Sequence, residues 1–413
     1  MPERRRKLIY LGVVRLPTEK AHGLQIMQMC EAFADAGCQV ELWAARRFNT
    51  REMRRIKDIF AHYGVRPRFK IRRLPLIDLF PLAGGSLRVE RFLFYVQIIS
   101  YALMMLLRAL FTRADIFYSR DENLLLALSM IKPRQQLAYE PHQMRVSGLG
   151  RWVQQRAAAR CGAIIPLTQR LADDLAATGA DPARMQSAHD GVRAERFKDL
   201  PDRASARRQL GWPEDGYIIG YVGRLETLQM DKGVGLLVRA LVPVEGAYIA
   251  LVGGPEDRAA TLADQWRDFG LPTERFLYTG QVAPDTVPLI MRALDVGTLT
   301  SPWTPQFAYY TSPLKVFEYM AAGCTLVASD LPSIREVVTP EVHALLFPPS
   351  DTEALTTALV RLRDDPALRH RLAAAAHQHV MGHFTWAARA ESILAHIHSC
   401  KNIEADHAHP AAE

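Results

Sequence analysis

The chain has 413 residues, 49% hydrophobic and 23% charged, which are ordinary globular values and leave enough chain for two α/β domains of about 180 residues each. Five scattered cysteines, Cys30, Cys38, Cys161, Cys324 and Cys400, form no C-x-x-C pair and are odd in number, which speaks against a zinc knuckle or disulfide framework and for a reducing cytosol. A formal net charge of +7 points to acidic partners, but no RNP-like strand, zinc-finger spacing or basic zipper accompanies it, so nucleic acid is not expected among them.

Met1 to Lys7 is basic and runs into the apolar stretch Leu8 to Val14, too short for a signal-peptide core with a cleavage site and better read as the first strand of a parallel sheet. Gly12 and Gly23 bracket a loop, Arg15 to His22, that leads into an amphipathic helix through Met29 and Phe33. Strand, Gly-containing loop and helix make the phosphate-facing geometry of doubly wound folds, here without the tight G-x-G-x-x-G spacing. Cys38 to Ala44 gives a second strand. From Arg46 to Arg73 eleven Lys/Arg stand against only Glu52 and Asp58, a patch suited to anionic headgroups or a diphosphate-bearing acceptor, or simply a solvated basic face. The most apolar run, Phe92 to Leu107, has sixteen residues and falls short of the ~20 that a spanning helix needs; a buried helix between strands is expected, with a membrane-surface helix as the alternative.

Ala114 to Tyr118 and Gln136 to Glu140 continue the alternation of strand and helix. The second ends in Glu140-Pro141-His142, which puts a histidine at the carboxyl edge where open α/β sheets bind ligands. A helix at Arg151 to Arg160, a strand at Gly162 to Pro166 and a helix at Gln169 to Thr178 follow. The charged, turn-rich stretch Val192 to Pro213 then marks a domain boundary.

Beyond it the pattern restarts. Tyr217 to Gly223 is a strand, Arg224 emerges at its end, and Lys232-Gly233 opens the next helix after a loop; two cations aimed at one cleft neutralise a diphosphate and stabilise it as a leaving group. Tyr248 to Val252, ending in Gly253-Gly254-Pro255, is a further strand-to-helix turn on the same edge. A strand at Arg275 to Tyr278, a helix at Asp285 to Ala293 and a strand at Asp295 to Leu299 lead to Trp303, Tyr309 and Tyr310, aromatic candidates for bordering a sugar. Thr311 to Gly323 reads as a short helix with Ser312 as N-cap, Pro313 at the first helical position and Gly323 as a left-handed C′ residue. The N–H groups of Leu314, Lys315 and Val316 would then be unpaired at the positive end of the helix, an anion site, with Glu318 one turn further in to accept from a sugar hydroxyl. Thr325 to Ser329 is a buried parallel strand. Pro332 to Val337, a strand at Ala344 to Phe347, helices from Asp351 to Val380 and a last helix from His383 to His398 complete the pattern.

The run SPLKVFEYMAAGCTLVASD, with Gly223-Arg224 and Lys232-Gly233 about eighty residues and more before it, resembles the nucleotide-sugar site of retaining glycosyltransferases with the GT-B fold, specifically glycosyltransferase family 4. The resemblance implies an α/β protein of two Rossmann-like, doubly wound domains facing an interdomain cleft. Residues 1–195 would form the acceptor-side domain and 196–380 the nucleotide-sugar domain; 381–400 would be a helix crossing back to the N-terminal domain, and 401–413 a disordered tail. It assigns Arg224 and Lys232 to the departing diphosphate, His142 to the donor sugar, Glu318 to the donor ribose, and Leu314, Lys315, Val316, Gly12, Gly23, Gly253 and Tyr310 to the donor's surroundings. The first Glu of the family's paired-Glu pattern falls on Tyr310. No metal and no cofactor is expected beyond the nucleotide-diphosphate sugar, the protein's cations taking the metal's part. Expected partners are that donor, a glycan or lipid-linked acceptor and an anionic membrane surface, with the protein cytoplasmic and peripheral on the inner face of the plasma membrane. The implied activity is transfer to an acceptor hydroxyl in cell-envelope polysaccharide or glycolipid synthesis. A sugar-nucleotide epimerase of the same fold, which would need a pair of acid/base carboxylates, and a non-catalytic nucleotide-sugar-binding protein, which Tyr310 would suit, are the alternatives.

Overall fold

Apolar runs that cannot be left in water become the central strands of two parallel sheets. The computed structural model describes residues 5–79, 87–227 and 230–408; Met1 to Arg4 of the basic N-terminus and residues 409–413 of the expected tail lie outside them. The chain divides into a first unit, Met1–Ala188 with Trp386–Glu413, and a second, His189–Thr385.

In the first unit β1 (Lys7–Arg15), β2 (Gln39–Ala45), β3 (Lys70–Leu74), β4 (Ile116–Ser119), β5 (Leu137–Tyr139) and β6 (Ala163–Ile164) form one sheet in the order β3-β2-β1-β4-β5-β6, every pair parallel. Leu8, Ile9 and Tyr10 of the central strand are fully buried, as a strand covered on both faces requires. The second unit repeats the plan with β7 (Tyr217–Val222), β10 (Ala247–Val252), β11 (Phe276–Gly280), β12 (Val296–Leu299), β13 (Thr325–Ser329) and β14 (Ala344–Phe347) in the order β11-β10-β7-β12-β13-β14, again all parallel. A small antiparallel hairpin, β8 (Glu226–Thr227) and β9 (Met230–Asp231), stands apart. Each sheet steps outward from its first strand in one direction and then in the other, the doubly wound order that leaves the carboxyl ends of the central strands open to a ligand.

Several boundaries differ from expectation. The division falls at Ala188/His189 rather than 195/196, because the Asp190 amide donates to the Ser312 hydroxyl (2.9 Å) and the Val192 amide to the Phe384 carbonyl (2.8 Å), tying this stretch to the second unit. The expected linker contains a helix, Arg203–Leu210, capped by Asp202 and closed by Gly211 in the left-handed conformation. His383 ends the helix Pro366–His383, and the last helix runs Trp386–Ala408 within the first unit. Residues 401–408, expected to be disordered, continue that helix, and the Lys401 ammonium donates to the Asp115 carbonyl (2.9 Å). β1 extends past Gly12 to Arg15 and the first helix begins at Ala21, so Gly23 sits inside a helical turn instead of closing a loop.

The apolar run Phe92 to Leu107 lies in a longer helix, Leu87–Leu110, which is not buried between strands as expected. One face packs inward through Gln97, Tyr101, Met105 and Ala109, and the Tyr101 hydroxyl donates to the Trp43 carbonyl (2.7 Å). The other face leaves Phe92 and Ile99 about two-thirds exposed (65% and 66%), with Tyr95, Leu103 and Leu107 beside them. By length and composition alone Arg88–Leu110 is long and apolar enough to cross a membrane, an 18-residue window within it having a mean hydropathy of 1.7.

Candidate functional site

At the carboxyl edge of the second sheet, glycines extend the ladder past the strands. The Gly223 amide donates to Val252 (2.8 Å), the Gly253 amide to Gly280 (2.7 Å) and the Leu225 amide to Gly254 (2.9 Å). Gly253 has φ 121°, and a Cβ there would overlap the Gly223 carbonyl, so only glycine lets these tips meet backbone to backbone. Arg224 follows, exposed, its guanidinium without a carboxylate partner among the described residues. After the hairpin the chain returns, and the Lys232 amide donates to the Leu225 carbonyl (3.4 Å). Gly233 (φ 76°) then starts the helix Val234–Leu241 where a Cβ would overlap the Thr300 carbonyl, and the Thr300 hydroxyl donates to the Lys232 carbonyl (3.0 Å). The backbone of Lys232 is thus fixed from both sides. Its ammonium lies 4.1 Å from the centroid of the Phe307 ring, and burial lowers its pKa from the ordinary lysine value. Among the described residues no carboxylate pairs with it.

The helix Leu314–Ala321 docks on this edge, the Tyr319 hydroxyl accepting from the Val222 amide (2.8 Å). Its start is not built as the sequence suggests. Ser312 does not cap the helix: its hydroxyl accepts from Asp190, and Pro313 occupies the N-cap position with no side-chain cap. The Val316 amide, expected to be unpaired, donates to the Pro313 carbonyl (3.0 Å), which leaves the amides of Leu314 and Lys315 at the positive helix end. Lys315 runs past Gly223, its Cε 3.7 Å from where a Cβ on that glycine would stand, and its ammonium is 2.7 Å from Glu318 Oε2. The half-buried Glu318 is therefore an ion-paired carboxylate facing the same edge. Tyr310 closes the short helix Pro305–Tyr309, its ring centroid 6.2 Å from that of Tyr309, which in turn meets Trp303 edge-on at 6.0 Å.

Arg224, Lys232, Gly253, Lys315 and Glu318 thus gather around the tip of β7. Two residues that bear on them gave no sequence signal. Phe307 supplies the ring under Lys232. Arg196, mostly buried, is near enough to Glu318 for that charge to support its protonation, although burial, the larger effect, lowers its pKa. Its guanidinium also donates to the Pro284 carbonyl.

The first unit places its candidates separately. His142 Nε2 is 3.1 Å from Glu140 Oε1. Glu140 is wholly buried and also meets Arg389 (2.7 Å), Arg120 (3.2 Å) and the Tyr10 hydroxyl (3.4 Å). Burial acts to raise its pKa, but Arg120, Arg389 and His142 prevail and hold it well below the usual carboxylate range. His142 is thus oriented by a buried charge network whose members come from positions 120, 140 and 389, too far apart for any local motif. Gly12 lies in β1 against Val14. Gly23 serves packing: a Cβ would overlap the Thr18 side chain and press on the Tyr63 hydroxyl, which donates to the Thr18 carbonyl (3.0 Å).

Residues 216–365 match the family model described as "Glycosyl transferases group 1". D-inositol 3-phosphate glycosyltransferase of Salinispora arenicola is 30% identical over 224 residues, covering 50% of this chain and 48% of that protein. 2-Deoxystreptamine glucosyltransferase of Streptomyces kanamyceticus is 29% identical over 228 residues, covering 54% and 55%. The chain spans about half the length of the curated relatives it matches. Among solved structures, Anabaena HepE in complex with UDP-glucose has a TM-score of 0.69 at 18% identity, covering 95% of this chain and 99% of that one. Sucrose-phosphate synthase from Thermosynechococcus elongatus reaches 0.72 at 19%, covering 97% and 100%. At such identities the likeness is one of fold, the GT-B fold with its two Rossmann-like domains.

Proposed function

We propose, from the premise that the second unit is a group 1 glycosyl transferase domain, that this protein moves a sugar from a nucleotide-diphosphate sugar to an acceptor hydroxyl with retention of configuration. The observation that carries the reading is the pair of cations without carboxylate partners among the described residues, Arg224 and Lys232, just past the tip of β7, where Lys315 from the start of the helix Leu314–Ala321 passes Gly223. Such a constellation favours a group whose negative charge grows as the reaction proceeds, and a departing diphosphate is that group. The bond between the anomeric carbon and the diphosphate oxygen breaks as the acceptor oxygen attacks from the same face. The acceptor's proton passes to a diphosphate oxygen, giving glycoside and nucleotide diphosphate. Glu318, held by Lys315, accepts from the donor ribose hydroxyls.

No metal step is invoked, because a site of like-charged cations repels a divalent ion and already supplies the neutralisation it would bring. HepE is described with UDP-glucose, which makes a UDP-sugar the first donor to try. For the acceptor we favour a glycan or lipid-linked molecule of the cell envelope, used at the cytoplasmic membrane face. The support is the helix Leu87–Leu110, whose exposed apolar stripe begins beside the exposed Arg88 and Arg91, a pairing suited to anionic headgroups. The test is incubation with UDP-, GDP- and CDP-sugars and candidate acceptors, with and without a chelator. Transfer with retained anomeric configuration and unchanged rate in chelator is expected; an isomerised donor, or binding without turnover, would replace the reading.

A further inference from the structure

At the other end of the helix Leu314–Ala321 the second unit holds an open cavity of about 600 Å³ that the proposed reaction does not use. Its size falls within the range of about 300–1,000 Å³ typical of small-molecule sites. Phe197, Leu200 and the alanines Ala322, Ala373 and Ala374 give it an apolar floor, while the groups around them are overwhelmingly basic.

The charges do not balance. Arg203, Arg207 and Arg369 share one buried carboxylate, Asp295, at 3.2, 2.6 and 3.8 Å. Arg207 is otherwise occupied by the carbonyls of Ala293, Glu214 and Gly216. Arg292 donates to the carbonyls of Pro201 (3.0 Å) and Ala322 (3.3 Å) and meets no carboxylate within ion-pair distance among the described residues. The one acid on the wall, Asp202, directs its oxygens to the amide and hydroxyl of Ser205, both at 2.9 Å. Lys198 and His370 add exposed cationic or protonatable groups at the rim. Three arginines and a lysine on the wall therefore face one carboxylate there, Asp202, with Asp295 and Arg207 buried behind them.

Capping the helix explains only part of this. Arg292 reaches the Ala322 carbonyl and His377 Nδ1 lies 3.0 Å from the Ala321 carbonyl, so these two serve the negative helix end. Arg203, Lys198 and His370 do not, and Arg369 is engaged elsewhere, donating to the Leu362 carbonyl (2.7 Å) and lying over the Tyr217 ring. Arg203 Nε is buried without a hydrogen-bond partner among the described residues, an arrangement that folding leaves in place only at a cost. Burial first, and the neighbouring Arg203 charge second, also press the Arg292 guanidinium below its ordinary pKa. Like charges crowded around an apolar floor are stabilised by an anion.

We propose that this cavity is a second anion site in the unit, taking a small phosphate monoester such as a sugar phosphate, its phosphate between Arg203 and Arg292 and its body on the alanine-lined floor. The inference is independent of the donor reading. The helix between the two ends, eight residues long, sets them roughly 12 Å apart.

The experiment is calorimetric titration of the full chain at low ionic strength with glucose 6-phosphate and, separately, inorganic phosphate. It compares wild type, Lys232→Ala at the β7 edge, and the rim double variant Lys198→Glu/His370→Glu, whose exposed side chains have no partner among the described residues. The expected result is glucose 6-phosphate binding equally to wild type and Lys232→Ala, at least tenfold weaker binding to the rim variant, and weaker binding of inorganic phosphate. Absence of binding to wild type would overturn the proposal, as would loss in Lys232→Ala with the rim variant unaffected, which would place the anion at the donor end. Equal affinity for the two probes would overturn its monoester part.

Discussion

Lys232 shows what a single residue can be asked to do. A lysine over an aromatic ring, half removed from water and without a counter-ion among the described residues, is held in a place where its charge is poorly compensated until an anion arrives. Lys232→Ala should therefore lower kcat by about 10² to 10³ while leaving the thermal unfolding midpoint near that of wild type, the size of effect seen when one preorganised charge-stabilising group is removed. Ser312 has the opposite profile. Replacing it by alanine strips the Asp190 amide of its acceptor and should cost about 1–3 kcal/mol in denaturant unfolding. The sequence S-P before an apolar helix resembles a cap signal, and nothing local reveals that the hydroxyl serves an amide 122 residues away. The cations were legible because each follows a strand or opens a helix next to glycine; Arg196 and Phe307 were not, because their partners are set only by the fold.

At the scale of elements, strands in continuous apolar runs were readable to within a residue or two, Ala344–Phe347 being one. The strand Lys70–Leu74 was not, since an edge strand with exposed lysine and arginines carries no apolar signature and merges into the basic segment around it. The turn at Gly233 is an element whose geometry makes a firm demand. Gly233→Ala combines a left-handed φ with overlap on the Thr300 carbonyl and should destabilise by more than about 1 kcal/mol, with loss of activity because Lys232 is displaced. The helix Leu87–Leu110 gives a test of membrane attachment. Ile99→Glu/Leu103→Glu should reduce co-sedimentation with phosphatidylglycerol vesicles at least tenfold, with transfer to a water-soluble acceptor unchanged, since both side chains point away from the packed face. Unaltered sedimentation of the double variant would show that this stripe is not the attachment surface.

Across the whole molecule, the two sheets follow the same strand order, and the last helix is fastened to the first by charge. Arg389 of that helix, almost wholly buried, binds Glu140 at 2.7 Å and the Ala188 carbonyl at 3.1 Å. Because Glu140 is held well below its ordinary pKa, its ionised form contributes stability that is fully present above about pH 4.5 and lost progressively as pH falls toward the depressed value. Acid unfolding followed by circular dichroism should accordingly begin at higher pH in Glu140→Gln, which leaves Arg389 buried without its carboxylate and should cost about 3–5 kcal/mol at neutral pH. The two-unit plan was legible from length and from the restart of alternation at Tyr217. The position of the division was not, because it depends on hydrogen bonds between distant segments such as Val192 and Phe384.

The central claim is that Arg224, Lys232 and the start of the helix Leu314–Ala321 hold a diphosphate, and calorimetry addresses it directly. UDP, GDP and CDP, each alongside its parent nucleoside, are titrated into wild type, Arg224→Ala and Lys232→Ala. One diphosphate should bind wild type and lose at least tenfold in affinity in each variant, while its nucleoside binds all three proteins alike. Equal diphosphate affinity across the three proteins would contradict the account.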